Sequence, residues 1–384
     1  MQKNNLQKFL IIRISSLGDV LLTSALVRCI KKTFPDATID FVVDKQFADI
    51  VKYNPHINNV IVYDKKQTIK ENNSIKKNLA NDYKIIDLQN NFRSIFFRKG
   101  LGNEIAIFKK KYIQKLFLVW LKINLFDKNL SIPEKYINTA NKFGIKSNIN
   151  NANDGLEIWL PEEKELEYYP PTVKFENCRS TIKTANNSSE KKYIFAIAPS
   201  AKHKTKQWLP EYFSELILLL DAKYNAKFYL LGGQEDKEIC SFITAKINSE
   251  IAHSREFSDK IENSKKIEIF DYSGKTSIIE TVRLVDECDL LVTNDTGIMH
   301  IGAARKLPLV VIFGSTVTNF GFAPYRTKYE ICEVDLPCRP CTHIGQKECP
   351  KKHFNCMKLI TPEMVLSKIQ ANARLLLAQT LFVF

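Results

Sequence analysis

The sequence predicts an α/β protein built from two domains with parallel sheets, and three observations support that prediction. Residues 290–293 form a short apolar run, a polar turn and a helix follow, and residues 309–313 form a second apolar run. This strand–helix–strand order implies a parallel pair of strands. A second strand–turn–helix pattern occupies residues 9–34, and a chain of 384 residues is long enough for two domains of ordinary size.

A polar stretch at residues 176–192 is typical of a linker, and it sets the predicted boundary between the domains. We predict a first domain over residues 1–183, a second over residues 184–360, and a final helical segment over residues 361–384. Pro362 and Glu363 favour a helix that begins at this last segment, since both residue types are frequent in a first helical turn.

The turn after the strand at residues 290–293 is the first candidate site. Ligands bind outside the carboxyl ends of the strands in open α/β sheets, and Asp295, Thr296 and Gly297 open the helix there. Free N–H groups and the helix dipole favour a phosphate at this point, and a glycine lets the backbone approach it closely. His300 lies four residues after Thr296 and so faces the same side of the helix. The alternative is an ordinary N-cap followed by a packed histidine.

Asp19 is the second candidate. It follows an apolar strand at residues 9–14 and Gly18, at the start of a helix predicted over residues 20–34. The turn holds one glycine instead of three and is therefore not a dinucleotide fingerprint. An aspartate at such a helix terminus is either an N-cap or a general base.

Two further turns carry cationic side chains. Arg93 follows a strand predicted at residues 85–88, and a guanidinium there could bind a carboxylate or phosphate in bidentate fashion. The alternative for Arg93 is a solvated surface side chain. After the strand predicted at Tyr193–Ala198, three lysines precede a helix, and they form either an anion site or a solvated loop: Lys202, Lys204 and Lys206.

These motifs together resemble those of glycosyltransferase family 9, the bacterial heptosyltransferases. Residues 295–300 are similar to the family's D-T-G-x-x-H donor motif, and residues 11–24 closely resemble its N-terminus. Residues 87–94 resemble its acceptor-side D-x-Q-x-x-x-[RK]-S stretch. Lys206 begins a segment similar to the family's K-x-W-P, from which this chain departs by the insertion of Leu209.

The resemblance implies a GT-B fold, in which two Rossmann-like domains face a central cleft and the final helix returns to the first domain. It implies that Asp19 is the catalytic base and that Arg93 lies on the acceptor side. Either Glu235 or Asp236 takes the acidic position that the family places near the donor's ribose. The implied donor-binding residues are Ser200, Lys206, Thr276, Asp295, Thr296, Gly297 and His300.

The resemblance further implies an inverting glycosyltransferase that transfers a heptose from ADP-heptose to the inner core of lipopolysaccharide, on a Kdo or heptose acceptor. We expect no required cofactor, because the chain lacks the Asp-x-Asp motif of metal-bound sugar nucleotides and protein groups would stabilise the leaving diphosphate. Two alternatives remain open. One is a family member that transfers another sugar from a nucleotide donor to a different glycan or protein acceptor. The other is a non-catalytic basic protein that binds nucleic acid.

The formal net charge of +14 suggests an acidic partner. Under the resemblance this partner is an anionic lipid-linked glycan at the inner membrane surface, with no nucleic acid. No run reaches the roughly 18 apolar residues of a spanning helix, and the N-terminus lacks a signal-peptide pattern. We expect a cytoplasmic protein that associates peripherally with the inner membrane. The lysine-rich residues 108–126 predict either an amphipathic helix on an anionic membrane or a core helix with a solvated face, and we favour the core helix.

The nine cysteines suit a reducing compartment, and several of them cluster near the end of the chain. Thiolates and an imidazole at this spacing can bind zinc. The competing interpretation, which we favour, is a set of reduced cysteines without metal. The cluster consists of Cys338, Cys341, Cys349, His353 and Cys356.

Overall fold

The computed structural model describes residues 6–127, 130–146, 154–162, 192–256 and 267–380. The described residues divide into two compact units. The first unit is drawn from Met1–Lys115, Leu125–Tyr168 and Asn319–Arg326, and the second from Leu116–Asn124, Tyr169–Thr318 and Thr327–Phe384. The predicted linker, apart from its last residue, and the predicted domain boundary lie outside the described residues. Both stay predictions.

The first unit contains a parallel sheet of five strands in the order β3-β2-β1-β4-β5. Both faces of the central strand are buried, as expected in a parallel sheet. Leu10 and Ile12 point into one core cluster, and Phe9 and Ile11 on the opposite face are also fully buried. In chain order the strands are β1 (Lys8–Ile12), β2 (Thr38–Asp44), β3 (Asn59–Tyr63), β4 (Lys84–Asp87) and β5 (Glu104–Ile107).

Seven α-helices lie in the described chain before residue 147. They are α1 (Leu17–Leu21), α2 (Ser24–Thr33), α3 (Asp49–Lys52), α4 (Ile69–Ser74), α5 (Phe92–Arg98), α6 (Tyr112–Leu116) and α7 (Ile132–Thr139). Short 3₁₀ turns occupy Lys45–Phe47, Ile75–Asn78 and Asn141–Phe143.

The single helix predicted over residues 20–34 is two helices, α1 and α2. The first begins three residues earlier than predicted because Ser16 takes the N-cap position. The interruption falls at Thr23, whose hydroxyl donates a hydrogen bond to the carbonyl oxygen of Val20 at 2.7 Å. A side chain that bonds back to the preceding turn competes with the helical ladder and bends the helix.

The second unit contains a parallel sheet of six strands in the order β11-β10-β9-β6-β7-β8. The strands are β6 (Tyr193–Ala198), β7 (Ala226–Leu230), β8 (Glu268–Asp271), β9 (Leu290–Asn294), β10 (Leu309–Ile312) and β11 (Tyr329–Cys332). The predicted strand–helix–strand unit is therefore confirmed, with parallel strands β9 and β10 side by side.

Helices of the second unit are α8 (Pro210–Lys223), α9 (Lys237–Glu256), α10 (Ile278–Glu287), α11 (Gly297–Ala304), α12 (Asn355–Lys358) and α13 (Pro362–Thr380). Short 3₁₀ turns of this unit occupy Lys204–Lys206 and Gln234–Asp236, and another, Thr318–Phe320, has its last two residues in the first unit. The final helix, α13, begins at the predicted proline and packs on α8, β10 and β11. Val365 and Ile369 on this helix are buried in the core of the second unit. Its predicted return to the first domain stays a prediction.

The lysine-rich segment at residues 108–126 is not one continuous helix. Lys111 and Lys122 have positive φ angles of 45° and 60°, and such a backbone cannot continue an α-helix. Between them, α6 runs directly into a π-helix at Phe117–Leu121. Leu118 is the one buried side chain of α6 and the π-helix, and Phe126 at the end of the segment is buried outside any helix, so the core-helix interpretation is wrong. None of the described helices is both long enough and apolar enough to cross a membrane.

Candidate active site

Asp19 lies at the point where the strand order of the first sheet reverses. The chain runs outward from β1 to β3 on one side and returns to place β4 on the other side of β1. Such a switch point separates the loops that follow the two central strands and leaves a crevice at their carboxyl ends. Gln89, in the loop after β4, accepts hydrogen bonds from the backbone N–H groups of Ile14 and Ser15 at 3.0 and 3.2 Å. The Gln89 side chain therefore links the loop after β4 to the loop after β1.

Three side chains surround the carboxylate of Asp19. The Arg13 guanidinium forms an ion pair with its Oδ2 at 2.8 Å. The Tyr136 hydroxyl donates to its Oδ1 at 3.2 Å, and the Ser16 hydroxyl donates to Oδ2 at 3.1 Å. The side chain of Asp19 nevertheless keeps 21% of its surface exposed, so one further hydroxyl can reach it.

The charge state of Asp19 is set by two opposing effects. Burial alone would raise the pKa of this carboxyl group, but the positive charge and hydrogen bond of Arg13 and the hydrogen bonds from Ser16 outweigh it, and the pKa is lowered. Burial lowers the pKa of Arg13 in turn, but the negative charge of Asp19 outweighs that effect and raises it. Burial raises the pKa of the Tyr136 hydroxyl above its usual value, so the tyrosine stays a hydrogen-bond donor. Asp19 is therefore ionised at neutral pH.

The alternative that Asp19 is the N-cap residue of its helix is wrong. Ser16 occupies the N-cap of α1, and Asp19 is the third residue of the helix, where its Oδ2 accepts a long 3.4 Å bond from the Ser16 N–H. The carboxylate thus completes a capping box and also faces Arg13 and Tyr136. A capping role and a chemical role are compatible here.

In the acceptor-side motif at residues 87–94, Asp87 and Ser94 hydrogen-bond within the protein, whereas Arg93 is exposed. Asp87 is fully buried and accepts hydrogen bonds from the Ser94 hydroxyl at 2.9 Å and from Arg98 at 2.6 Å. Arg93 is exposed on α5, and no described carboxylate lies within ion-pair distance of it. The structure therefore leaves the Arg93 guanidinium available to a ligand.

The predicted donor residues collect at the corresponding point of the second sheet, where β6 and β9 adjoin and the strand order reverses. Asn294, at the end of β9, donates to the carbonyl oxygen of Pro199 at 2.7 Å and accepts from the backbone N–H of Trp208 at 3.0 Å. Lys206 and Asp295 are thereby brought together, with an ion pair of 2.6 Å between Nζ and Oδ2. The Thr316 hydroxyl also donates to that carboxylate, at 2.8 Å.

Helix α11 begins beside this ion pair. Thr296 occupies its N-cap position, but the hydroxyl makes no capping hydrogen bond, and Gly297 follows as the first helical residue. Thr296 therefore has the position of an N-cap residue, but capping does not explain why a hydroxyl is present there. His300 is only 4% exposed, so the alternative of a packed histidine describes its burial correctly.

The remaining predicted donor residues lie in the neighbouring loops. Ser200 is buried after β6, within 3.4 Å of the Gln207 amide. Thr276 follows the edge strand β8 and shares a 2.9 Å hydrogen bond with the Thr281 hydroxyl, so it lies two strands away from β6. Asp236 accepts a hydrogen bond from the N–H of Gly233 at 2.7 Å, whereas Glu235 is exposed.

The cysteine cluster does not form a metal site among the residues that the structure describes. Cys338 Sγ lies 3.9 Å from His353 Nε2, but no group of three or more His, Cys, Asp or Glu side chains is arranged to hold an ion. Burial raises the pKa of the Cys341 thiol, and it raises the pKa of Cys356 to about 12. The zinc interpretation therefore has no support from the geometry.

Sequence reasoning missed the partners that hold the predicted residues in place. Arg13 and Gln89 lie inside the quoted motifs, but nothing in the motifs assigns them these contacts. Tyr136 lies 117 residues after Asp19, and Thr316 lies 21 residues after Asp295. A single sequence contains no signal for contacts at that separation.

The sequence model of "Glycosyltransferase family 9 (heptosyltransferase)" matches residues 158–352, about half of the chain. The chain belongs to this family. The predicted family membership and the prediction of a glycosyltransferase are both confirmed. A relative, lipooligosaccharide heptosyltransferase 2 of Campylobacter jejuni, is 28% identical over 359 residues, which cover 92% of this chain and 94% of the relative.

Solved structures share the fold of this glycosyltransferase. The ADP-heptose lipopolysaccharide heptosyltransferase II of Escherichia coli matches with a TM-score of 0.62 and 22% identity, over 95% of this chain and 98% of that one. A family 9 glycosyltransferase from Veillonella parvula matches with a TM-score of 0.66 and 19% identity, over 95% and 96%. Together with the two parallel sheets, these matches confirm the predicted GT-B fold class with two Rossmann-like domains.

Proposed function

We propose that this glycosyltransferase transfers a heptose from ADP-heptose, with inversion at the anomeric carbon, to a hydroxyl of the lipopolysaccharide inner core. Family membership and near full-length similarity to lipooligosaccharide heptosyltransferases support heptosyl transfer over another sugar and over nucleic-acid binding. The observation that carries the proposal is the ionised, partly exposed carboxylate of Asp19 at the switch point of the first sheet.

Asp19 is the general base of the proposed reaction. The acceptor hydroxyl gives its proton to the carboxylate, and its oxygen forms a bond to the anomeric carbon of the heptose. The bond between that carbon and the diphosphate oxygen breaks, and ADP leaves. Because the pKa of Asp19 is lowered, the carboxylate is ready at neutral pH but takes the proton efficiently only as the attacking oxygen becomes positive.

The donor diphosphate binds at the carboxyl ends of β6 and β9 in this proposal. Lys206 and the backbone at Gly297 stabilise the negative charge that develops on the leaving group, with the dipole of α11 acting in the same sense. Asp295 repels phosphate, and its ion pair with Lys206 indicates that it orients the ammonium instead. We assign Ser200, Thr276 and Thr296 to donor binding on their positions in the loops after the strands, and His300 on its position in α11.

We further propose that the enzyme works in the cytoplasm on an anionic lipid-linked glycan at the inner membrane surface, with no nucleic-acid partner. The net charge of +14 favours an anionic surface. The stretch of residues 112–125 exposes large apolar side chains, among them Trp120 at 77% and Ile113 at 70%. Apolar side chains beside lysines are typical of surfaces that lie on anionic membranes.

The first test measures donor binding and turnover separately. Calorimetry with ADP-heptose on the wild type, Asp295→Ala and Lys206→Ala should show binding that both substitutions abolish or strongly weaken. With a Kdo-bearing acceptor, Asp19→Asn should abolish ADP release while the affinity for ADP-heptose survives.

Other results would revise the proposal. Binding of a different sugar nucleotide, with none of ADP-heptose, would keep the glycosyltransferase and change its donor. Full turnover by Asp19→Asn would remove the carboxylate from the chemistry.

A further inference from the structure

The first unit contains a cavity of about 300 Å³ between the segment that follows β5 and helix α7. That volume lies at the lower end of the sites that hold small ligands, roughly 300–1,000 Å³. The described residues that line it are Ile107, Phe108, Lys109, Lys111, Leu130, Lys135, Asn138 and Thr139.

The charged side chains that line this cavity in the described chain are all positive. Three of its described lining residues are lysines, and none is acidic. Lys109 and Lys111 are exposed at the rim, whereas Lys135 is only 9% exposed. The described lining is therefore cationic at the mouth and in the interior.

The charge of Lys135 is only partly balanced within the protein, because the nearby acids Asp127 and Glu134 favour the ammonium but have smaller effects than burial and the neighbouring lysines. The Lys135 Nζ lies 3.4 Å from the carbonyl oxygen of Phe320 and 5.2 Å from the ring centroid of Phe126, and no described carboxylate lies within ion-pair distance. Burial and the neighbouring Lys111 and Lys115 lower the pKa of Lys135 to about 8. A buried ammonium is costly unless an anion pairs with it, so the arrangement favours a bound anion.

The cavity lies beside the proposed catalytic base, on the same unit. Phe108, in its wall, packs edge-on against the ring of Tyr136 with 5.0 Å between centroids, and the Tyr136 hydroxyl contacts Asp19 at 3.2 Å. Lys115, which interacts electrostatically with Lys135, also interacts with Asp19. A group held in the cavity would therefore belong to the substrate whose hydroxyl meets Asp19.

We propose that this cavity binds an anionic substituent of the acceptor, a phosphate or a carboxylate, and that Lys109, Lys111 and Lys135 position anionic acceptors and discriminate against neutral ones. The inference rests on the proposed function, since it presumes that the acceptor meets Asp19. Lysines at the rim attract the anion, and the buried lysine pairs with it where water competes least.

Two cavity variants and one control test this inference. The double variant Lys109→Ala/Lys111→Ala removes exposed side chains and should fold normally, and Lys135→Gln removes the buried charge. The control is Lys45→Ala, an exposed lysine of the same unit outside the cavity. Each protein is assayed for acceptor KM, kcat and calorimetric affinity for ADP-heptose. The acceptors are a Kdo-bearing lipid acceptor, its carboxyl-reduced analogue and its dephosphorylated analogue.

Both cavity variants should raise the KM for the native acceptor about tenfold or more, since a lost charge-assisted hydrogen bond has an effect of that size. The kcat should change much less, and the control should match the wild type. On the analogue that lacks the bound anion, the wild type and the variants should have the same acceptor KM. Which analogue shows this identifies the bound group as the phosphate or the carboxylate.

Two outcomes would overturn the inference. One is an unchanged KM in both variants, and the other is an equal loss on all three acceptors. Donor affinity and the inactivity of Asp19→Asn test the proposed function separately, so the two ideas can fail independently.

Discussion

Among the individual residues of the candidate site, Arg13 holds down the pKa of Asp19, the proposed base. Its guanidinium lies 2.8 Å from the carboxylate and supplies the largest effect that opposes burial. Replacement by glutamine removes that charge, so burial prevails and the pKa of Asp19 rises. The acid limb of the pH profile of kcat/KM should then move to higher pH, because this parameter reports the ionisation of the free enzyme.

A pH profile between about 4 and 9 would measure the effect of Arg13→Gln, in the range where carboxyl groups with raised pKa values titrate. Arg305→Gln is the matched control, since it breaks a 2.7 Å ion pair with Asp286 in the other unit. The control should leave the acid limb in place. An unmoved limb in Arg13→Gln would show that Asp19 does not govern the profile.

Between elements, the contact that matters most for the site is the one Gln89 makes across the two loops of the first switch point. Its single amide oxygen accepts from two backbone N–H groups of the β1–α1 connection, and Asp19 follows in the first turn of α1. Gln89→Ala leaves both donors without this acceptor, which costs roughly 1–3 kcal/mol of unfolding free energy. We also expect kcat to fall more than the affinity for ADP-heptose, because the loop that leads into α1, the helix of the proposed base, loosens.

Urea unfolding and steady-state kinetics would measure the two effects of Gln89→Ala. Gln89→Glu keeps the accepting oxygen at the same reach and should retain most of the stability and turnover. If Gln89→Ala unfolds and turns over like the wild type, the bridge does not position Asp19.

The central strands of the two sheets could be predicted from the sequence because they are buried on both faces. Apolar runs therefore mark them, and Tyr193–Ala198 begins and ends at the predicted residues. The short strand Glu104–Ile107 gives no such signal, since it is an edge strand with exposed residues at both ends. The break between α1 and α2 depends on one hydroxyl at Thr23, which apolar periodicity does not report.

The site was predictable only in part, for a related reason. Helix termini that follow strands carry local signals, and these located Asp19, Asp295 and Thr296. The contacts that set their chemistry are distant in sequence. Tyr136 comes from α7 and Lys206 lies 89 residues before its partner Asp295, so only the folded chain brings them together.

For the molecule as a whole, net charge and exposed apolar surface must be explained together. A charge of +14 alone would suit any polyanion. The stretch of residues 112–125 adds exposed aromatic and aliphatic side chains, which a soluble polyanion would not cover. An anionic bilayer satisfies both features, because phosphates attract the lysines while the apolar side chains enter the interface.

This explanation predicts that the full-length protein binds anionic vesicles through Trp120. Sedimentation with phosphatidylglycerol-containing vesicles should capture the wild type, and capture should decrease with added salt because electrostatic attraction is screened. Trp120→Ala should weaken binding severalfold at any salt concentration, since apolar insertion is lost. Trp159→Ala removes another exposed tryptophan, at 41% exposure, and should bind like the wild type. If Trp120→Ala and Trp159→Ala lost vesicle binding equally, the stretch at residues 112–125 would not be the part that contacts the bilayer. Binding that does not change with salt would contradict the electrostatic attraction between the lysines and the bilayer.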